Sequence, residues 1–265
     1  MDDSKQGWAP LLAVSGVTLQ YKTQDHLVTA TYRVSFDVAP ADRFVVLGPS
    51  GCGKSTILKA VGGYMSPTEG SIRLKGQTIR KPGPDRVMVF QEFDQLLPWK
   101  TVKKNVMFAL ESSGKLSGKA ADEKAMESIA KVNLTKFAGS YPHTLSGGMK
   151  QRVAIARALA MEADILLMDE PFAALDALTR LRMQDELLQL WEDTRFTMLF
   201  VTHSIPEAVR IGNRILLLSP HPGKVIAELN SSGTDEIEPV SGQKLSERIH
   251  AMLFTDEIEQ TGAVP

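Results

Sequence analysis

Apolar and polar residues alternate from Leu11 to Gln20 and again from Tyr32 to Val38, on either side of the turn-like segment Lys22-Thr23-Gln24-Asp25-His26. Period-two alternation buries one face of each segment, so the chain is expected to open with two antiparallel strands. The pattern then changes to short, almost wholly apolar runs: Phe44-Val45-Val46-Leu47, Arg86 to Phe90 (apolar after its first residue), Ile165-Leu166-Leu167-Met168 and Met198 to Val201. A run with no polar face reads as a strand covered on both sides, the mark of a parallel sheet between helices. Helical spacing occupies Ile57 to Val61, Thr101 to Leu110, Lys119 to Val132, Met149 to Met161, Ala177 to Glu192 and Gln243 to Glu259. A short strand, Ser71 to Lys75, follows the turn Ser66-Pro67-Thr68-Glu69-Gly70. Arg214 to Ser219 and Lys224 to Leu229 read as a hairpin around Pro220-His221-Pro222-Gly223.

No convincing strand falls between about Leu96 and Met161, so residues 96–161 are expected to form a helical insertion in the sheet domain. Its entry, Leu96-Leu97-Pro98-Trp99, reads either as an exposed docking surface or as a loop anchored by a core tryptophan. The main domain is expected over 11–240, with a C-terminal helix or tail over 241–265.

Between the run ending at Leu47 and the helix beginning near Lys54 lies Gly48-Pro49-Ser50-Gly51-Cys52-Gly53-Lys54-Ser55-Thr56. It fits Gly-x-x-x-x-Gly-Lys-[Ser/Thr] in the strand-loop-helix context the motif requires. Glycines at 48, 51 and 53 let backbone N–H groups turn inward, and the helix start adds its positive dipole end, so a polyphosphate exchanges water for fixed donors. Lys54 supplies a point charge for the β- and γ-phosphates, Ser55 a hydroxyl for Mg²⁺, and Thr56 a further phosphate contact. The expected class is therefore α/β: a P-loop NTPase core with a mixed sheet, an N-terminal antiparallel β subdomain and an inserted α-helical subdomain.

Other polar groups fall where open α/β sheets place ligands, at the carboxyl ends of strands. Gln91 follows the run Arg86 to Phe90 and reads as a loop residue, or as a Mg²⁺ ligand that also touches an attacking water. Asp169-Glu170-Pro171 ends the next run; Asp169 suits the Mg²⁺ shell and Glu170 a water to be oriented or deprotonated, and the pair suggests hydrolysis. His203 ends another run, either structural or donating an imidazole N–H to the γ-phosphate. Tyr21 ends the first strand and either stacks on a nucleotide base or packs at a sheet edge. Leu145-Ser146-Gly147-Gly148-Met149-Lys150-Gln151-Arg152 opens a helix capped by Ser146, with no acid in its first turn and Lys150 and Arg152 nearby. It reads as a plain capped helix or as a second anion site, suited to a phosphate supplied from elsewhere.

Bulk composition adds mostly exclusions. Thirty basic and thirty-one acidic side chains give a formal charge of −1, which offers no broad electrostatic footprint for nucleic acid. Hydrophobic residues make up 43% of the 265, enough for a sizeable core. The single cysteine, Cys52, cannot form an internal disulfide and sits in the phosphate loop, where a small residue with a free N–H is wanted; a reducing cytosol is expected. Met1-Asp2-Asp3-Ser4-Lys5 lacks the basic start of a secretion signal, and no apolar run spans a bilayer, so a membrane role is expected to be peripheral. Ser231 to Glu236 is a short polar stretch without repeats.

In this order the elements resemble the ATP-binding subunits of ABC transporters: Leu145 to Arg152 matches that superfamily's signature and lies between matching segments at Gln91 and Asp169-Glu170. The resemblance runs from about Val14 to Leu229. Gly83-Pro84-Asp85-Arg86, Gln91 to Trp99 and Pro171-Phe172-Ala173-Ala174-Leu175-Asp176 look like the nitrate/sulfonate/taurine importer branch. The resemblance implies two copies closing head to tail around two ATP molecules. Lys54, Ser55, Gln91, Asp169, Glu170 and His203 of one copy would face Ser146, Gly147 and Gly148 of the other. Tyr21 would stack on adenine and Asp176 would communicate across the dimer. It implies further an integral membrane permease, an extracytoplasmic solute-binding protein acting indirectly, and a peripheral place on the cytoplasmic face of the bacterial inner membrane. Two departures stand out: Ala41-Asp42-Arg43 where many members carry a Gly-Glu turn, and Ala173 where serine is frequent. The rival readings are a soluble ABC-type ATPase acting on nucleic acid or ribosomes, and a P-loop kinase acting on a small molecule.

Overall fold

The alternating N-terminal segments pair as expected, and the elements follow one another along the chain as β1 (Leu12–Lys22), β2 (Leu27–Val38), β3 (Arg43–Leu47), α1 (Lys54–Val61), β4 (Glu69–Leu74), β5 (Gln77–Thr78) and β6 (Arg86–Val89). Next come α2 (Val102–Ser112), α3 (Gly118–Lys131), α4 (Gly147–Ala160), β7 (Ile165–Asp169), α5 (Ala177–Thr194), β8 (Met198–Thr202), α6 (Ile205–Ile211), β9 (Arg214–Leu218), β10 (Val225–Asn230) and α7 (Gly242–Thr261). This computed structural model describes residues 9–22, 26–91, 95–231 and 242–261. Expectations for Met1 to Lys5, Thr23-Gln24-Asp25, Glu92-Phe93-Asp94 and Ser232 to Glu236 lie outside the described residues. The chain forms two compact units, Met1–Pro82 with Thr202–Pro265, and Gly83–Val201.

In the first unit, β1 pairs antiparallel with β2 and with β4, and β4 with β5. The alternation is the cause: Leu12, Val14, Val34, Phe36 and Ile72 are buried while their neighbours are not, and Val17, Thr18 and Leu19 form one buried stretch. Beside it β3 runs parallel to β9 and β9 antiparallel to β10, so this sheet is mixed. Phe44, Val45, Val46 and Leu47 are all fully buried, as an unbroken apolar run requires. α7 packs on α6 through Leu245, Ile249 and Leu253, spaced four apart on one face. α6 and β5 are additions to the expected elements.

The departure at Ala41-Asp42-Arg43 has a structural explanation. Asp42 is buried and accepts hydrogen bonds from the Ala39 N–H (2.8 Å), Asn213 Nδ2 (3.0 Å) and Arg214 Nη1 (2.7 Å), tying the turn to β9. Burial works against the Arg214 charge, but its bonds to Glu228 and Asp42 more than offset this and hold the guanidinium above its usual pKa. Ala41 lies at φ +61°, where a glycine is relaxed and an alanine is not. Ala41→Gly is therefore expected to stabilise the protein by about 0.5 kcal/mol, the strain relieved (about 1–2) exceeding the added chain entropy (about 0.5–1). A higher denaturant midpoint at unchanged m-value would show it.

In the second unit β7 is flanked by β6 and β8, both parallel to it. α2, α3 and α4 pack on one another through Val102, Val106, Leu110, Ala121, Ala125, Ile129, Val153 and Ala156. The expected insertion is thus present as three helices, within a unit that also holds three strands. α4 is buried on more than the stripe expected of it: Ala154, Ile155, Ala158 and Ala160 are buried too, whereas Leu159 is only half-buried. Trp99 is 71% exposed, so it is not a core anchor. Leu96 is the buried residue there, and Asn105 fixes the loop: its Oδ1 accepts from the Leu97 N–H, and its Nδ2 donates to the carbonyls of Leu97, Lys100 and Thr101. Among the described residues no helix is long and apolar enough to cross a membrane.

Candidate functional site

In the first unit the phosphate loop joins β3 to α1. Gly51 and Gly53 lie at φ +81° and +92°, which a side-chain-bearing residue adopts only under strain, and Gly53 caps α1. No acidic residue occupies the first turn of α1, so nothing on the helix offsets its positive end. Lys54 is buried, and its Nζ donates to the carbonyls of Gly48 (2.9 Å) and Pro49 (2.8 Å). The ammonium is thereby held against the loop rather than in solvent. Cys52 is fully buried with its N–H directed to the Pro49 carbonyl (3.4 Å), in keeping with a residue chosen for size. Ser55 and Thr56, in the first turn of α1, are half-buried.

Two other candidates belong to this unit. Tyr21, 42% exposed, lies opposite Val28 near the end of β1, with much of its ring open to a stacking partner. His203 is exposed at the end of β8, in a turn that leads into α6. Thr202, just before it, donates to the buried Glu207 carboxylate and accepts from the Ser204 N–H (3.0 Å), while Ser204 caps α6 by accepting from the Glu207 N–H. The signal was legible: Ser204 and Glu207 have capping-box spacing, with Pro206 in the first helical turn.

In the second unit Asp169 ends β7 and Gln91 follows β6. The strands are parallel neighbours in register from Arg86↔Ile165 to Val89↔Met168, so both groups lie at one carboxyl edge. Gln91 is exposed and Asp169 half-buried. Glu170 is half-buried at φ +43°, with its N–H bonded to the Val201 carbonyl on β8 (3.0 Å). A non-glycine residue held there carries strain of order 1 kcal/mol, and such strain gathers at working sites. The oxygen donors Ser55, Gln91 and Asp169 are of the type a hard cation such as Mg²⁺ selects.

Ser146 caps α4 by accepting from the Met149 N–H (3.4 Å), and no acid occupies that first turn. Gly148 packs on α5 so closely that a Cβ there would lie 3.2 Å from Thr179 Cγ2. Arg152, expected beside an incoming anion, is instead directed within the unit to Glu186 (2.6 Å). Gln151, fully buried, and Arg157 join α4 to the Gln91 segment through Phe90 and Gln95. Burial holds the Arg157 guanidinium below its usual pKa. Asp176 caps α5, and its hydrogen bonds to Thr179 hold its carboxyl below the usual range. Arg180 pins the loop before it by donating to the carbonyls of Phe172, Ala173 and Leu175. A backbone carbonyl at Ala173 serves this clamp, so serine is not needed for it. The bonds from Gln151, Arg152 and Arg157 join residues far apart in the chain, and no local spacing announces them.

Comparison with known proteins gives one consistent answer. The family model described as ABC transporter matches residues 31–173. The chain is 49% identical over 203 residues to the taurine import ATP-binding protein TauB of Rhizobium johnstonii, covering 77% of each. It is 42% identical over 227 residues to the bicarbonate transport ATP-binding protein CmpD of Synechococcus elongatus, covering 85% of this chain and 81% of that one. Its structure is similar to a dimeric post-hydrolysis state of the ATP-binding cassette MJ0796 bound to ADP and Pi. The TM-score is 0.71 at 34% identity, over 83% of this chain and 98% of that one.

Proposed function

The chain belongs to the ABC transporter family as an ATP-hydrolysing subunit, and from that premise we propose that two copies close head to tail on two ATP molecules to drive import of a small anion through a partner membrane permease. The observation that carries this reading is that the chain holds two helix starts opened by glycines, α1 behind the phosphate loop and α4 behind Ser146-Gly147-Gly148, each also without an acid in its first turn. One nucleotide loop accounts for the first. The second is served by the γ-phosphate held on the other copy.

In this assembly Tyr21 stacks on adenine, and the N–H groups of the loop from Gly48 through Thr56 cradle the phosphates. The Lys54 ammonium exchanges two neutral carbonyls for anionic oxygens, a stronger charge-assisted pairing. Ser55, Gln91 and Asp169 would hold Mg²⁺, which would supply positive charge to offset that of the β- and γ-phosphates. Glu170 orients and deprotonates water, and His203 donates an imidazole N–H to the γ-phosphate. The partner's Ser146, Gly147 and Gly148 close over the same phosphate. Exposed Trp99 and Phe108 offer the permease an apolar docking surface. The subunit lies peripherally on the cytoplasmic face of a bacterial inner membrane, and an extracytoplasmic solute-binding protein delivers the anion without touching it. The relatives that serve taurine and bicarbonate support a solute that bears an oxyanion group.

Composite sites require two chains, so ATP turnover per subunit is expected to rise steeply with subunit concentration until dimers predominate. A steady-state assay across dilutions checks this; a rate per subunit indifferent to concentration overturns the shared site. The rival nucleic-acid reading predicts RNA or DNA, rather than a polytopic membrane protein, bound to the affinity-purified complex.

A further inference from the structure

The phosphate loop is walled by a segment far downstream, the turn between β9 and β10. Gly223 donates its N–H to the Ala30 carbonyl (3.0 Å) and accepts from the Tyr32 N–H (2.9 Å), so it is bonded to β2 on both sides like a one-residue parallel strand beside Thr31. A Cβ built on Gly223 would lie 2.1 Å from the Cys52 carbonyl oxygen. Its backbone does not occupy the left-handed region, so space alone, not conformation, demands glycine. Strand β2 itself approaches the phosphate loop as closely: a Cβ on Gly53 would meet Thr31 Cγ2 at 2.5 Å and the Ala30 carbonyl oxygen at 2.7 Å. Thr31 is fully buried and its hydroxyl makes no hydrogen bond. Its methyl, not its hydroxyl, is therefore what meets the loop.

We propose that Gly223 and Thr31 are positioning residues for nucleotide binding, which together fix the orientation of the Cys52–Gly53 peptide; this rests on the phosphate loop being the ATP site. The carbonyl of Cys52 and the N–H of Gly53 belong to one rigid plane, so turning one turns the other. With Gly223 held to β2 by two hydrogen bonds, a methyl there displaces the Cys52 carbonyl by about 1 Å, and misplacement on that scale is costly in a preorganised site. The Gly53 N–H then points away from the phosphates.

The test measures the affinity of a fluorescent ATP analogue, kcat and KM for ATP, and the thermal midpoint without nucleotide. Gly223→Ala is expected to weaken binding about tenfold or more and to raise KM by more than it lowers kcat. Thr31→Ser, which deletes the methyl, weakens binding severalfold. Thr31→Val, the conservative variant, keeps the methyl and retains the affinity. Unchanged affinity in folded Gly223→Ala overturns the proposal, as do equal effects of Thr31→Ser and Thr31→Val. Should Gly223→Ala not fold, the Thr31 pair decides alone. Lys54→Ala separates the two readings: if it binds ATP normally, the ATP site itself is misassigned; if it loses binding while Gly223→Ala keeps it, only the positioning role fails.

Discussion

Glu170→Gln is expected to leave ATP binding intact and to slow hydrolysis by about 10²- to 10⁴-fold, the range for removing a general base. The argument starts from place. Glu170 follows Asp169 at the carboxyl end of β7, and its N–H bond to the Val201 carbonyl holds it at φ +43°. That backbone bond does not depend on the side chain, so an amide of the same shape keeps the geometry while losing basicity. Asp169, which we assign to Mg²⁺, is untouched, and so is nucleotide affinity. A dimer that closes on ATP and is released by hydrolysis then accumulates closed. Single-turnover hydrolysis and size-exclusion chromatography with ATP check both halves. A normal rate would mean that another group activates the water.

Fold and site were legible in the sequence to different depths, for physical reasons. The runs at Phe44, Ile165 and Met198 mark buried strands because a strand covered on both faces has no room for polar residues, and all three appear. Ser146 announces its helix because capping is a local hydrogen bond. α6 was passed over because seven residues carry too little periodicity, although Ser204 and Glu207 stood at capping-box spacing. The helical stripe assigned to α4 was too narrow, since an alanine-rich helix buries small residues on several sides. The strain at Glu170, the carbonyl clamp of Arg180 and the wall at Gly223 were invisible. Glu170 and Gly223 depend on partners brought close by tertiary pairing, and the Arg180 clamp, which reaches only 5 to 8 residues back, depends on how its loop folds; a sequence records residue types without their neighbours.

Ser146→Arg is expected to abolish turnover while leaving ATP binding by the monomer nearly unchanged. Ser146 caps α4 through the Met149 N–H, whereas the cradle around Lys54 is held by the Gly48 and Pro49 carbonyls, so the substitution removes none of the bonds that hold that cradle. An arginine there removes the cap, worth about 1 kcal/mol, and places a bulky cation where the head-to-tail dimer brings a γ-phosphate close to backbone. Closure fails, and with it hydrolysis. The decisive form of the test mixes two inactive proteins, Ser146→Arg and Glu170→Gln. In a mixed dimer one site combines the intact Glu170 of the first copy with the intact Ser146 of the second, and the other site carries both defects. If half the dimers are mixed and sites act singly, activity returns to roughly a quarter of the wild-type rate. If instead each chain's α4 start served its own phosphate loop, every site in the mixture would remain defective and no activity would return.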